Sequence, residues 1–312
     1  MQLGGRGSKG VLWALLGSFF GSTVFIVSRF LLVNKLIDPI SMSALRFLGG
    51  GMMMLIWGLF KYGQKILSVP EDLLSLATLG LFGMAGTSAF LFYGQQITSA
   101  TNGAIIREVV PVILNILISF ALGEALSGLQ FFGLVISALG TLLVTGALTV
   151  TGFCFTSQHI KGDLLVFCSA LCWVVYSFLG RKILERLGSF LTTTWAMLFG
   201  GLQLLILALL QPTTFINWTQ AWPTLTYLVL LATTVAYLAW YKAMECLSWP
   251  LLNIIQCLTP VFAIFIARVL LAEALTWLKV IGILIVFLGI IVVGWTPRRW
   301  FWGSNNILSE SE

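Results

Sequence analysis

Apolar residues fall along this chain in long uninterrupted blocks, separated by short polar or charged breaks. A helix of about 20 residues crosses the hydrocarbon core of a bilayer, where only helices or closed barrels satisfy their own backbone polar groups. Because the blocks lack the two-residue alternation of barrel strands, they predict an all-α integral membrane protein. The ten predicted transmembrane helices are 11–33, 40–60, 73–94, 100–121, 127–149, 162–182, 190–210, 222–244, 250–271 and 276–296.

Composition and charge agree with a membrane protein. Of the 312 residues, 59% are hydrophobic and 9% are charged, whereas a soluble domain has about 25% charged residues. The basic residues lie scattered at helix ends, so the net charge of +6 does not indicate nucleic-acid binding. Ten Lys and Arg fall on the side of the N-terminus and five on the other. This excess predicts a multi-pass protein of the inner or plasma membrane with both termini cytoplasmic.

The N-terminal apolar block is interpreted as a retained first helix and not as a signal peptide. It extends to about Val33, and no small-x-small cleavage site follows it. At the other end, residues 303–312 form a polar tail that is predicted to be disordered.

The sequence contains an internal repeat. Residues 99–144 align with residues 248–293 at an offset of 149 without a gap, and the first helix of each half aligns at an offset of 152. The predicted repeats, 10–149 and 162–296, therefore hold five spans each. A unit with an odd number of spans begins and ends on opposite sides of the membrane, so its copy must be inverted. Inverted repeats are common in secondary transporters, with the substrate site near the bilayer midplane.

Three motifs resemble those of a known family. These are GEALSGL at 123–129, AEALTWL at 272–278 and ALRF at 44–47. Together with the repeat length, they resemble the EamA-type repeat of the drug/metabolite transporter superfamily, although Ala272 stands where that family usually has glycine. The resemblance implies a ten-helix fold with a central cavity lined by helices 1, 3, 4, 6, 8 and 9. It also implies transport of amino acids, other metabolites or drugs.

Two opposite charges lie inside the fourth predicted span. Arg107 would lie about 10 Å into a helix that begins near Ala100, and exposing it to lipid would cost about 2.5 kcal/mol or more. Arg107 and Glu108 should therefore face the protein interior or an aqueous cavity. In one interpretation Arg107 binds an anionic group, and Glu108 binds an ammonium group or a coupling proton. In the other, each charge pairs with a neighbouring helix and fixes the fold.

Further polar and aromatic residues are candidates for substrate binding. Amides in membrane helices bind substrate or hold helices together, and aromatic residues well inside a span line a cavity or pack. The additional candidates are Gln96, Asn102, Trp173, Tyr176, Tyr237 and Gln256. In contrast, Arg46 is interpreted as an interfacial or loop-pinning residue. Glu124 and Glu273 are interpreted as acids that accept hydrogen bonds from the amides of the following helix.

These features favour a secondary transporter of small polar metabolites. A zwitterion such as an amino acid or its derivative is the first substrate class, and S-adenosylmethionine transport and drug export are alternatives. An intramembrane enzyme is disfavoured because the single histidine, His159, lies in a loop and no HExxH or GxSxG motif occurs. A channel is also disfavoured, because it usually needs a ring of equivalent groups, which one Arg–Glu pair does not supply. We therefore predict no catalytic residue, no metal and no cofactor, with proton coupling through Glu108 and a monomer or homodimer in the bilayer.

Overall fold

A computed structural model of the chain describes an almost entirely helical protein. It describes residues 5–67, 72–98, 106–107, 110, 127–144, 157–211, 215–247, 249–259, 261–263, 265–266 and 277–294. The α-helices with more than one turn are α1 (Gly5–Val33), α2 (Pro39–Tyr62), α3 (Leu73–Gly80), α4 (Thr87–Ile97), α5 (Gly128–Val144), α6 (Ser157–Leu210), α7 (Trp218–Val229), α8 (Ala236–Cys246), α9 (Trp249–Gln256) and α10 (Trp277–Gly294). Within the described ranges the extended contacts amount to one bridge between Ile37 and Ile216.

Six helical stretches are long and apolar enough to cross a membrane. They are Gly7–Leu32, Pro39–Tyr62, Leu73–Gly94, Ile160–Gly180, Lys182–Leu210 and Trp218–Cys246. Each lies within several residues of a predicted span. The long helix α6 supplies two of them because Gly188, with φ 77° and ψ 166°, breaks its helical backbone. A positive φ of this size is readily adopted only by glycine.

The remaining predicted spans are described in part. Helices α5 and α10 lie within the predicted spans 127–149 and 276–296. Most of the predicted span 100–121, much of 250–271 and the tail 303–312 lie outside the described residues. So do Glu124 and Glu273.

Large apolar side chains cover the outer surface of the helices. Phe60, Leu74 and Trp277 are more than 80% exposed, and similar residues recur along most helices. A soluble monomer rarely exposes such a surface. Lipid is the solvent that suits it, so these side chains mark the surface that faces the bilayer.

Close glycine contacts join α5 to α10. A Cβ added at Gly140 would lie 2.8 Å from the Gly282 carbonyl oxygen, and one added at Gly289 would lie 2.6 Å from the Gly133 carbonyl oxygen. Because small residues allow helix backbones to approach closely in a membrane, these positions leave no room for larger side chains. Gly133 and Gly140 contact Gly289 and Gly282 respectively, so α5 and α10 run antiparallel.

Two further antiparallel contacts resemble each other. Near the start of α1, a Cβ at Gly10 would lie 2.8 Å from Leu247, which follows α8. Within α6, a Cβ at Gly162 would lie 2.9 Å from the Cβ of Thr98, which follows α4. Gly10 and Gly162 are 152 residues apart in sequence, and Thr98 and Leu247 are 149 apart. The contacts therefore join positions that the sequence repeat makes equivalent.

Two π-helical turns interrupt long helices at matching positions. Leu81–Gly86 joins α3 to α4, and Leu230–Val235 joins α7 to α8. Near each turn a threonine hydroxyl donates a hydrogen bond to a carbonyl oxygen five residues earlier, from Thr87 to Phe82 (2.8 Å) and from Thr234 to Val229 (2.7 Å). The apolar pattern does not predict these turns, which often occur at functional sites.

Candidate functional site

A pair of buried tyrosines joins α6 to α8. The side chains of Tyr176 and Tyr241 are 3% and 1% exposed. Their hydroxyl groups are hydrogen-bonded to each other, and their ring centroids lie 6.2 Å apart in an edge-on arrangement. One turn earlier in α6, Trp173 lies against Tyr176 with ring centroids 5.4 Å apart. These rings form one aromatic cluster inside the helix bundle.

The first π-helical turn supports this cluster. A Cβ added at Gly83 would overlap the ring of Tyr176, and one added at Gly86 would lie 3.0 Å from the sulfur of Cys172. The turn therefore brings its backbone directly against α6. The position of the Tyr176 ring consequently depends on the absence of a side chain at Gly83.

A buried arginine lies at the other end of the cluster. Tyr237, one turn before Tyr241 in α8, packs edge-on against Phe47 with ring centroids 5.8 Å apart. The guanidinium of Arg46 lies 4.5 Å from the centroid of the Phe47 ring and interacts electrostatically with the Tyr237 hydroxyl. Arg46 is 8% exposed, and its Nε has no hydrogen-bond partner among the described residues.

A second guanidinium acts on the same tyrosine. Arg107 is half-buried, and its charge interacts with the hydroxyl of Tyr237. The Tyr176 and Tyr241 hydroxyls also interact with Tyr237. Two guanidinium groups therefore interact with Tyr237, and the Tyr176–Tyr241 pair lies one turn away. Such a site suits an anionic group attached to an apolar or aromatic body.

The structure brings together some of the predicted site residues but not others. Trp173, Tyr176 and Tyr237 belong to the cluster, and Arg107 interacts with it. Gln96 is exposed near the end of α4 and Gln256 is half-buried at the end of α9. No described hydrogen bond or ring contact joins either amide to the cluster. Asn102 and Glu108 lie outside the described residues.

The interpretation of Arg46 as an interfacial or loop-pinning residue is wrong. Arg46 lies seven residues after Pro39, where α2 begins, which is about 10 Å along the helix. It is buried against Phe47 and Tyr237. The depth argument that singled out Arg107 applies equally to Arg46 and would have found it. Tyr241 was not kept as a site residue, because it lies near the end of the predicted span 222–244, where tyrosine is often an interface anchor.

The described residues contain no group of three or more His, Cys, Asp or Glu side chains that could hold a metal ion. The four cysteines with described side chains, Cys168, Cys172, Cys246 and Cys257, are free thiols. The buried polar side chains of the described residues carry hydroxyl, guanidinium and carboxylate groups.

Apolar membrane helices that enclose arginine and tyrosine side chains are typical of membrane proteins that bind or transport a polar ligand. Ionisable groups inside a membrane segment are costly and usually mark the path or site of a polar ligand. The sequence model of the EamA-like transporter family matches residues 8–146 and 160–295. The chain belongs to this family, and its resemblance to the EamA-type repeat is thereby confirmed.

Relatives are similar to this chain over most of its length, and two of the three described here are transporters by name. An uncharacterized transporter of Archaeoglobus fulgidus is 29% identical over 284 residues, covering 90% of this chain and 92% of that protein. The uncharacterized transporter YyaM of Bacillus subtilis is 27% identical, covering 89% and 92%. A chloroplastic WAT1-related protein of Arabidopsis thaliana is 24% identical, covering 93% and 70%.

A solved crystal structure has the same fold. It superposes with a TM-score of 0.77 at 21% identity, covering 92% of this chain and 96% of the other. Identity at this level supports the fold alone. The general function of this chain as a membrane transporter follows from its family and its relatives.

Proposed function

We propose that this protein is a secondary transporter that moves amino acids or amino-acid derivatives across the plasma membrane by alternating access. The observation that carries the proposal is the convergence of Arg46 and Arg107 on Tyr237, beside the buried Tyr176–Tyr241 pair. The guanidinium groups suit a carboxylate, and the aromatic rings suit an apolar side chain or an ammonium group. A zwitterion presents both.

The proposed architecture is ten spans in two inverted repeats, 10–149 and 162–296, with both termini cytoplasmic. Two family-model matches in succession, at 8–146 and 160–295, support this division. The antiparallel contacts of α5 with α10 support the inversion, because each glycine pair becomes the other when equivalent residues are exchanged. The two π-helical turns, 149 residues apart, support it further. One repeat rocking against the other would then open the cluster to each side in turn.

The proposal is tested by uptake into proteoliposomes that contain the purified protein. Labelled amino acids and S-adenosylmethionine are screened, with Arg107→Ala in parallel. We expect an amino acid to be transported by the wild type and transport to fall at least tenfold in Arg107→Ala, because one charge-assisted contact is lost. Lys9→Ala is the matched control, since Lys9 is an exposed cation near the start of α1.

Folding of the variants is checked by gel filtration and thermal unfolding before transport is compared. If Arg107→Ala folds and transports normally, Arg107 does not bind the substrate. If it fails to fold, Arg107 is a structural clamp, and the site is sought among the aromatic residues of α6 and α8. If S-adenosylmethionine were transported and no amino acid were, the proposed substrate would be wrong, but the protein would still be a transporter.

Proton coupling through Glu108 is a separate part of the proposal. It rests on the sequence, which puts this carboxyl next to Arg107 inside an apolar span. We expect Glu108→Gln to remove the pH dependence of uptake, because glutamine cannot exchange a proton in this range. Uptake is measured with an imposed pH gradient and again without one. If uptake by Glu108→Gln still depends on pH, Glu108 is not the proton site.

A further inference from the structure

The hydrogen-bonding capacity of Arg46 is only partly used by the described residues. A guanidinium has five N–H donors in a planar fork. The Tyr237 hydroxyl interacts electrostatically with it, and the Phe47 ring attracts its charge without accepting a conventional hydrogen bond. The Nε of Arg46 is buried and has no hydrogen-bond partner among the described residues. A buried cation with donors to spare is costly, so the site favours an anionic acceptor.

One further buried polar atom near Arg46 lacks a partner among the described residues. Thr233, one turn before Tyr237, is fully buried, and its Oγ1 has no partner among the described residues. Its methyl group faces Gly50, one turn after Arg46, where an added Cβ would lie 3.5 Å from it. The two helical segments thus meet through Gly50 and Thr233, and again one turn away through Arg46 and Tyr237.

A carboxylate is the acceptor that fits this arrangement best. Its two oxygens match the guanidinium fork in a bidentate pair, which a neutral carbonyl or hydroxyl cannot form. Phe47 lies over one face of the guanidinium. The Tyr237 hydroxyl, which interacts with Arg46, has a proton that it can donate to the same acceptor.

We propose that Arg46 is the residue that binds the carboxylate of the transported molecule, with Tyr237 as the residue that positions the guanidinium. This inference rests on the proposed function and deepens it, because it assigns the substrate class to small molecules with a free carboxylate. Arg107 supplies a second positive charge near Tyr237. The Tyr176–Tyr241 pair accommodates the rest of the molecule. Amides and amines of the same shape are excluded, since they leave the guanidinium fork without an anion.

The test compares ligands that share a phenyl ring and either carry or lack a carboxylate. The thermal unfolding temperature of the purified full-length protein is measured with increasing phenylalanine, phenylacetate, phenylalaninamide or phenethylamine. A ligand that binds the folded state raises this temperature. We expect the two carboxylates, phenylalanine and phenylacetate, to stabilise the wild type. The two amines without a carboxylate, phenylalaninamide and phenethylamine, should have little effect. In Arg46→Gln the apparent affinity for both carboxylates should fall about tenfold or more.

Two further variants separate binding from folding. Arg46→Lys keeps the positive charge and loses the fork, so we expect an intermediate loss of carboxylate affinity. Tyr237→Phe removes the positioning hydroxyl and should weaken both carboxylates by less than Arg46→Gln does. Lys9→Gln, which removes an exposed cation, should leave all four responses unchanged. If Arg46→Gln does not fold, Arg46→Lys and Tyr237→Phe still decide the question.

Several outcomes would overturn the inference. Equal stabilisation of wild type, Arg46→Gln and Arg46→Lys by phenylacetate would mean that Arg46 does not bind the carboxylate. Stabilisation of the wild type by the amines alone, or by none of the four probes, would mean that the site is not built for a carboxylate. The proposed transport function is judged separately by the uptake screen.

Discussion

Replacing Gly83 with alanine is expected to destabilise the protein by about 2–3 kcal/mol. The added methyl group would overlap the ring of Tyr176. That ring cannot move aside easily, because it is buried, packs against Trp173 and is hydrogen-bonded to Tyr241. Inserting a methyl group into a closed interior forces side chains from their preferred rotamers and shifts the backbone. The substitution thus acts on packing and on the aromatic cluster together.

The measurement is the free energy of unfolding of the purified protein in a denaturant titration. Gly21→Ala is the matched control, because Gly21 lies in the interior of α1 and an added Cβ there meets no atom of the described residues within 4 Å. Alanine is the better helix former, so this control should be neutral or slightly stabilising. If Gly83→Ala unfolded like Gly21→Ala, the close approach of the π-helical turn to Tyr176 would be incorrect.

Uptake by the folded fraction of Gly83→Ala adds a functional readout. We expect uptake per folded molecule to fall as well, because a displaced Tyr176 breaks its contact with Tyr241. A loss of stability with unchanged uptake would mean that the ring packs the bundle and does not contribute to the proposed site.

Most membrane spans could be predicted from the sequence because the bilayer imposes a simple constraint. A segment that crosses it must be apolar over a fixed length, and the pattern from Leu73 to Gly94 satisfies this over a helix that the structure describes. The π-helical turn at Leu81–Gly86 inside that same span was not predicted. It inserts a residue into the helix without changing hydrophobicity, so no apolar periodicity reports it.

The candidate site was partly predictable for a related reason. Trp173, Tyr176 and Tyr237 were singled out by their depth within spans, and the structure brings them together. Arg46 was overlooked because a basic residue near a helix end is usually an interfacial anchor. Its true environment depends on Tyr237, which is far away in sequence, and only the packing of α2 against α8 reveals it. Pairwise contacts of this kind leave no trace in a single sequence.

The internal repeat carried information that single spans did not. Gly133 and Gly140 matched Gly282 and Gly289 in sequence, and the structure joins these four glycines in one helix contact. A glycine is retained in both halves because the same backbone approach is made twice. The repeated glycines therefore mark positions of close packing, although the repeat alone does not indicate which helices meet.

Replacing Asp38 with alanine is expected to destabilise the protein by about 1–3 kcal/mol. Asp38 is buried at the start of α2, where one carboxylate oxygen accepts a hydrogen bond from the backbone N–H of Ser41 at 2.9 Å. The other oxygen accepts from the backbone N–H of Phe215 at 3.4 Å. The side chain therefore caps α2 and also ties it to the segment that precedes α7. Alanine would leave both N–H groups without their acceptor.

Asp38→Ser separates the two roles of Asp38. Serine is a good helix cap but is too short to reach Phe215. Asp38→Ser should therefore lose only the weaker hydrogen bond from the Phe215 backbone N–H. The free energy of unfolding is measured for both variants, and the difference between them gives the contribution of the cap. Backbone hydrogen bonds still join the two segments in each variant, from Asp38 to Phe215 and from Asn217 to Leu36. Both variants should therefore fold, and equal stabilities for Asp38→Ala and the wild type would show that the carboxylate contributes no net stabilisation at this junction.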